Sequence, residues 1–132
     1  MARTVKPAAR PNRARLVAEF RQRLAAMRRS LLESVATTDE ELTALEAQQR
    51  GEPAEGAARG VAEDVLNRLG GRERHELDEI DAAQHRLESG AFGACEACHR
   101  AIPVARLRAV PAARCCARCQ EQVEADGRAR PR

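Results

Sequence analysis

Tryptophan and tyrosine are absent, and Phe20 and Phe92 are the only aromatic side chains. Aromatic rings normally supply a large share of buried area. Their scarcity excludes a thick globular core, and it removes the stacking platforms that single-stranded nucleic acids use. Lysine is confined to Lys6, and charge of one sign is missing too: with both signs abundant, the net charge is only +3. A nucleic-acid-binding domain usually shows a clustered basic face, so direct DNA binding is not expected. No apolar run approaches the length that crosses a bilayer, so no membrane partner is expected. Met1–Pro11 is basic but has no apolar core segment, unlike a secretory signal. The expected address is the cytoplasm, where thiols stay reduced. The five cysteines therefore read as metal ligands before disulfides.

What is present is alanine, leucine, arginine and glutamate. Charged residues make up 33% of 132, and much of the 43% apolar content is alanine. Such a composition favours long exposed helices or a coiled coil, and a chain with so little core needs a staple. Residues 1–12 read as a disordered basic arm. Asn12 is a candidate N-cap. Beyond it, Val17, Phe20, Leu24, Met27, Leu31, Thr38, Leu42 and Leu45 recur at three–four spacing, with Ser34 as one polar layer. Thr38-Asp-Glu-Glu41 has the form of a capping box, but the continuing seam favours one helix over Arg13–Gln49. Gly51-Glu-Pro-Ala-Glu-Gly56 marks a turn. A second helical pattern spans Ala57–Glu88, closed by Ser89-Gly90, with a bend or weak point expected at Gly70-Gly71. Two helices joined this way run antiparallel. The expected class is mainly α: a long antiparallel coiled-coil hairpin over residues 13–90 with its tip loop near 48–58. A four-cysteine module follows over 91–125, then a basic tail over 126–132.

The module carries the chemistry. Cys95-x2-Cys98 and Cys116-x2-Cys119, with residues 99–115 between them, have zinc-ribbon spacing. Each C-x2-C turn offers two thiolates to one side of a tetrahedron, and two turns close it. One structural Zn²⁺ is the expected cofactor. A closed S₄ set leaves no open position for substrate, so no catalytic role and no enzyme are expected. An iron–sulfur cluster also takes four thiolates, but not usually at this spacing. Cys115 either replaces Cys116 in a C-x3-C turn or stays free, and the two C-x2-C turns are the commoner arrangement. His99 adjoins Cys98 at a site four thiolates already fill. His75 and His85 read as helix-surface residues.

At specific positions the segment Cys95-Glu-x-Cys98-x3-Ile102-x3-Arg106-x4-Pro111-x4-Cys116-x2-Cys119 resembles the DksA/TraR zinc-finger family. The preceding Glu88-Ser-Gly-Ala-Phe92-Gly93 is similar as well, with Ala94 where tyrosine is commoner. The resemblance is tight over the module and covers the helices only by pattern and order. It implies a regulator that binds bacterial RNA polymerase rather than DNA, its coiled coil entering the secondary channel. It also implies two tip acids in an Asp-x-x-Asp-x-Ala arrangement. Here the tip reads Glu52-Pro-Ala-Glu55-Gly-Ala57, with glutamate for aspartate at both places. Family members are also associated with the alarmone ppGpp. At the corresponding surface stand Glu79, Val110, Gln120 and Arg72, so ppGpp binding is expected to be weak or absent.

Other readings compete. A ribbon could bind nucleic acid through Arg128, Arg130 and Arg132. Acidic tips could hold Mg²⁺ at the polymerase active site, as in transcript-cleavage factors. A redox role for Cys115 lacks a neighbouring base. Arg13, Arg15, Arg106 and Arg108 either dock a partner or solvate helix faces.

Overall fold

The computed structural model describes residues 12–52 and 56–129, with residues 57, 58, 128 and 129 described by backbone alone. The N-terminal arm, Glu55, Arg130 and Arg132 lie outside the described residues. Among the described residues there are six helices: α1 Arg13–Glu33, α2 Asp39–Gln49, α3 Gly56–Asn67, α4 Gly71–Ser89, α5 Val104–Ala109 and α6 Ala117–Ala129. The only strand-like pairing described is an isolated antiparallel bridge between Ala94 and Ala101. The chain is mainly α, with α1 packed on α4 and α2 on α3.

Helix α1 starts where the Asn12 side chain accepts a hydrogen bond from the Ala14 N–H at 2.9 Å. Phe20, Leu24, Arg28 and Leu32 are its buried residues. Their spacing of four puts them in one row along a single face. Against this row α4 sets Leu77, Ile80, Ala83 and Leu87. Arg28 is the exception within the row. Its Nε donates to Asp81 at 3.0 Å, while its Nη1 has no partner. This polar layer stands between two hydrophobic clusters. One joins α1 and α4 to the cysteine module through Phe20, Leu24, Ile80, Leu87, Phe92 and Ile102. The other joins Leu32 and Leu77 to Leu45, Ala62 and Val65.

The expected single helix over Arg13–Gln49 is two helices, and the capping box forms at the break. Thr38 takes an extended backbone and its hydroxyl accepts from the Glu41 N–H at 3.2 Å. The Glu41 carboxylate reaches back to the Thr37 N–H and hydroxyl, at 2.8 and 3.1 Å, and also accepts from both terminal nitrogens of Arg68. These local bonds offer the backbone an alternative to continuing the helix. The second arm breaks at nearly the same level. There α3 stops at Asn67 and α4 restarts at Gly71, with Gly70 as its N-cap. The glycine pair is thus the weak point that its helix cost suggests. At the base, Gly90 closes α4 in the left-handed region with φ 80°, where glycine carries no Cβ penalty.

The breaks change direction as well as continuity. Residues 29 and 46 of one straight helix would stand about 25 Å apart at roughly 1.5 Å of rise per residue. Here the Arg29 guanidinium meets the Glu46 carboxylate at 3.0 Å. Ala25 and Ala26 line the same hollow as Gln49 and Arg50. The α2–α3 hairpin therefore leans back along α1 instead of prolonging it. Arg50, beside the tip turn, lies near the middle of α1 and not at the far end of a rod.

Glu41 makes a pH test. The Arg68 guanidinium, with help from the Thr37 N–H, holds its pKa down at about 2, against an ordinary 4.5. The folded state binds this proton less readily than the unfolded chain. Its contribution is complete above about pH 4.5 and fades as pH falls toward 2. Urea midpoints for the wild type and Glu41→Gln are expected to differ at pH 6, wild type higher, to draw together as pH falls from about 4.5, and to converge only below about pH 2. A difference that stays constant with pH would contradict the assignment.

Candidate metal centre

The first C-x2-C turn is a tight hairpin. The Cys95 N–H donates to the Arg100 carbonyl at 2.8 Å and the Ile102 N–H to the Gly93 carbonyl at 2.7 Å, while the His99 N–H closes back on the Cys95 carbonyl at 2.9 Å. Closing so short a loop drives His99 to φ 62°, the only positive value at a described non-glycine residue. Its place after Cys98 is thus explained by the turn, not by ligation. The second turn sits at a helix start. Cys116 immediately precedes α6 and Cys119 lies in its first turn, where the positive end of the helix dipole favours a thiolate. The Glu96 N–H donates to the Arg114 carbonyl at 2.9 Å and ties the two turns together.

The four sulfurs of Cys95, Cys98, Cys116 and Cys119 all lie within 4.8 Å of one another. Cys98 Sγ and Cys116 Sγ are 4.0 Å apart. A tetrahedral zinc with four sulfurs at about 2.3 Å requires S–S edges of about 3.8 Å. The residues present therefore fit one Zn²⁺, which they are positioned to hold. No cysteine is paired in a disulfide. Cys115 stands outside the four-sulfur group and is buried in the cluster with Phe92 and Ile102.

The electrostatics favour a cation. Backbone N–H groups of Cys98, then of Cys116 and Ala97, converge on the Cys95 sulfur and bring its pKa down to about 5. The Cys119 N–H lowers Cys116 in the same way. Cys119 is pushed up to about 12, first by the Cys116 thiol and then by Cys95. The N–H groups thus favour thiolates at Cys95 and Cys116, and a bound divalent ion would deprotonate the coordinating thiols outright. Cys115 moves upward through burial and the adjacent Cys95 charge. That thiol is a core residue and not an activated nucleophile.

A second set of residues, which composition alone does not reveal, docks the module onto the helices. Phe92 packs on Phe20 with ring centroids 5.1 Å apart. Arg114 pairs with Glu79 of α4 at 2.6 Å and with Glu96 at 3.3 Å. The Arg13 guanidinium donates to the carbonyls of Gly90 and Phe92, Arg23 to that of Arg108, and Arg106 to that of Cys115. Arg108 pairs with Glu19. Three of the four arginines considered as docking or solvating groups, Arg13, Arg106 and Arg108, thus bind their own chain. Glu79 is engaged with Arg114 as well. The only sequence signal for these ties was the excess of arginine, a side chain suited to multidentate contacts.

The tip residues are separate from the centre. Glu52 is exposed and its carboxylate pairs with Arg50 at 2.7 Å. That guanidinium keeps Glu52 below the usual carboxylate range. Ala57 belongs to the first turn of α3. Glu55 lies outside the described residues, so the pairing of the two tip acids does not enter the geometry. The expected tail at 126–132 is partly helical, since α6 runs to Ala129. No described helix is long and apolar enough to cross a membrane.

These features define a four-cysteine zinc finger welded to an antiparallel helical pair. The prokaryotic dksA/traR C4-type zinc finger family matches residues 90–125. The chain is 45% identical over 62 residues to an uncharacterized protein of Aquifex aeolicus, a stretch covering 47% of this chain and 43% of that one. It spans less than two thirds of the length of the curated relatives it matches. Among solved structures, transcription factor DksA2 from Pseudomonas aeruginosa aligns at 27% identity and TM-score 0.57, covering 91% of this chain and 95% of that one. The Chlamydia trachomatis RNA polymerase binding protein and transcriptional regulator Dks aligns at 23% identity and TM-score 0.56, covering 89% and 95%. The chain carries a DksA/TraR C4-type zinc finger and has the fold of DksA proteins.

Zinc titration against a chromophoric chelator is expected to give one ion per wild-type chain. Cys98→Ser is expected to weaken affinity by at least tenfold, since a structural site draws on the order of 10–16 kcal/mol from its full ligand set. Cys115→Ala is expected to keep one ion with nearly unchanged affinity. Equal losses in the two variants would mean that Cys115 is a ligand.

Proposed function

We propose that this protein is a non-enzymatic, cytoplasmic transcription regulator that binds bacterial RNA polymerase and modulates promoter complexes. In this reading the zinc finger and helix base dock outside, and the acidic turn bearing Glu52 and Glu55 acts inside the secondary channel. One observation carries it: a DksA/TraR-type finger sits at the base of a helical pair whose fold follows a solved DksA transcription factor over 91% of the chain. The Chlamydia neighbour is itself described as an RNA polymerase binding protein. Zinc, held by Cys95, Cys98, Cys116 and Cys119, supplies folding free energy and leaves no position for substrate. Nucleic-acid binding through Arg128, Arg130 and Arg132 is less well supported, because the net charge is only +3 and stacking aromatics are scarce.

The turn is chemically suited to meet basic groups or a metal. Glu52 is ionised and exposed, and its partner Arg50 is equally exposed. Such a pair is worth about 0–1 kcal/mol, so it yields readily to a better cation in a partner's cleft. Replacing aspartate by glutamate lengthens each reach by one methylene.

Fluorescence anisotropy with purified polymerase core is expected to show binding of the zinc-loaded chain. Glu52→Ala/Glu55→Ala is expected to bind within about threefold of wild type, as exposed tip charges carry little docking energy, and to lose the effect on promoter-complex lifetime. No binding at micromolar protein would remove polymerase as the partner. ppGpp is a separate test. Glu79 presents a carboxylate locked to Arg114 at 2.6 Å, and Val110 is uncharged and exposed. Calorimetric titration is expected to show no micromolar binding, and an affinity at or below micromolar would overturn this.

A further inference from the structure

The α2–α3 hairpin meets the α1–α4 pair through one small buried cluster, Leu32 and Leu77 against Leu45, Ala62 and Val65, and through an exposed ionic latch. Arg29 bridges Glu33 at 2.8 Å and Glu46 at 3.0 Å, with the Arg29 side chain 58% exposed and Glu46 32%. Below this latch, both arms lose helical backbone at one level. Ser34–Thr38 forms the joint on one side, residues 68–70 on the other, and Glu41 ties the two through Arg68.

The same sequence is also written for a straight arm. Leu31, Ser34, Thr38, Leu42 and Leu45 keep three–four spacing across the joint. The two polar members of this row, Ser34 and Thr38, bracket the break. A continuous helix would leave Leu42 and Leu45 on the seam side, where α3 already packs. Straightening keeps the α1–α4 and α2–α3 pairs. It gives up the packing of Leu32 and Leu77 against Leu45, Ala62 and Val65 across the joint, together with the latch. On the second arm, the joint falls at the non-helical residues 68–70, just before Gly71 opens α4. Two alternative packings of one sequence, joined at short non-helical segments, constitute a hinge.

We propose that the α2–α3 hairpin is a hinged arm, stored against α1 by the buried packing of Leu45, Ala62 and Val65 on Leu32 and Leu77 and latched by the Arg29–Glu46 contact. It swings outward about Ser34–Thr38 and Arg68–Gly71 to form one extended coiled coil. The closed shape keeps Gln49 and Arg50, at the end of α2, beside Ala25 and Ala26, and the open shape carries them away from the zinc finger. That the open arm is the form entering polymerase rests on the reading above, whereas the opening itself does not.

The test uses the full zinc-loaded chain, with donor and acceptor dyes on non-cysteine unnatural residues at Gln22 and Gln48, both exposed. In one straight helix these positions stand about 39 Å apart, and in the closed shape they stand well inside that. Single-molecule energy transfer is expected to show two populations, the shorter one dominant at low salt and the longer one growing as salt screens the latch. Arg29→Glu, which sets like charge against both Glu33 and Glu46, is expected to raise the open-to-closed ratio about threefold, the scale of one exposed ion pair. The charge swap Arg29→Glu/Glu46→Arg is expected to return it toward wild type. Ser34→Leu/Thr38→Leu, which fills the seam and deletes the cap, is expected to make the long distance dominant. A single short distance in the wild type and in all three variants would overturn the hinge. Polymerase core added last separates the two ideas: failure to bind while the free arm still opens refutes the functional reading alone, and binding with the arm still closed refutes its extended use.

Discussion

Everything in this fold depends on four thiolates meeting at one point. With no tryptophan, no tyrosine and two phenylalanines, the chain buries too little area to hold residues 90–125 in shape by packing alone. The C-x2-C turns supply the closure instead. Their backbone N–H groups converge on Cys95 and Cys116, and the charge this gathers is balanced by the ion. The site is not appended to the core but is continuous with it. Cys95 and Cys115 sit in the same cluster as Phe20, Leu24 and Ile80. Metal occupancy is therefore coupled directly to the packing of α1 on α4.

Arginine takes over the role that aromatic side chains have elsewhere. Its planar fork reaches backbone carbonyls and carboxylates across the gap between helices and finger. Arg13, Arg23, Arg86, Arg108 and Arg114 all make such contacts. One consequence is electrostatic. Guanidinium groups of the helix base and finger are engaged within the chain, on carbonyls as well as carboxylates.

The two hydrophobic clusters divide the labour along the helices. The base cluster includes the finger and is held by zinc. The tip-side cluster spans the joint between the arms and has no such staple. Between them the polar layer of Arg28 and Asp81 interrupts the apolar row. Buried polar layers fix register at a cost in stability. Here the layer anchors α1 to α4 next to the segment where the arms change direction. A zinc-stapled base beside an arm held by packing without such a staple suits a protein whose proposed action takes place at its tip.

The sequence by itself determined the metal site, the helical class, the antiparallel order and the stop at Gly90. These follow from local rules: thiolate spacing, three–four periodicity, and glycine in the left-handed region. It also contained both answers at residues 34–38, a continuing seam and a capping box. Only tertiary structure chose between them. Arg68, distant in sequence, completes the hydrogen bonds of Glu41 and tips the balance toward a break. The direction of the arm and the destinations of the arginines were likewise settled by partners far away in the chain, such as Glu46 for Arg29 and Glu79 for Arg114. Periodicity records which face of a helix is buried. It holds no information on which distant charge will lie within reach once the helices have packed.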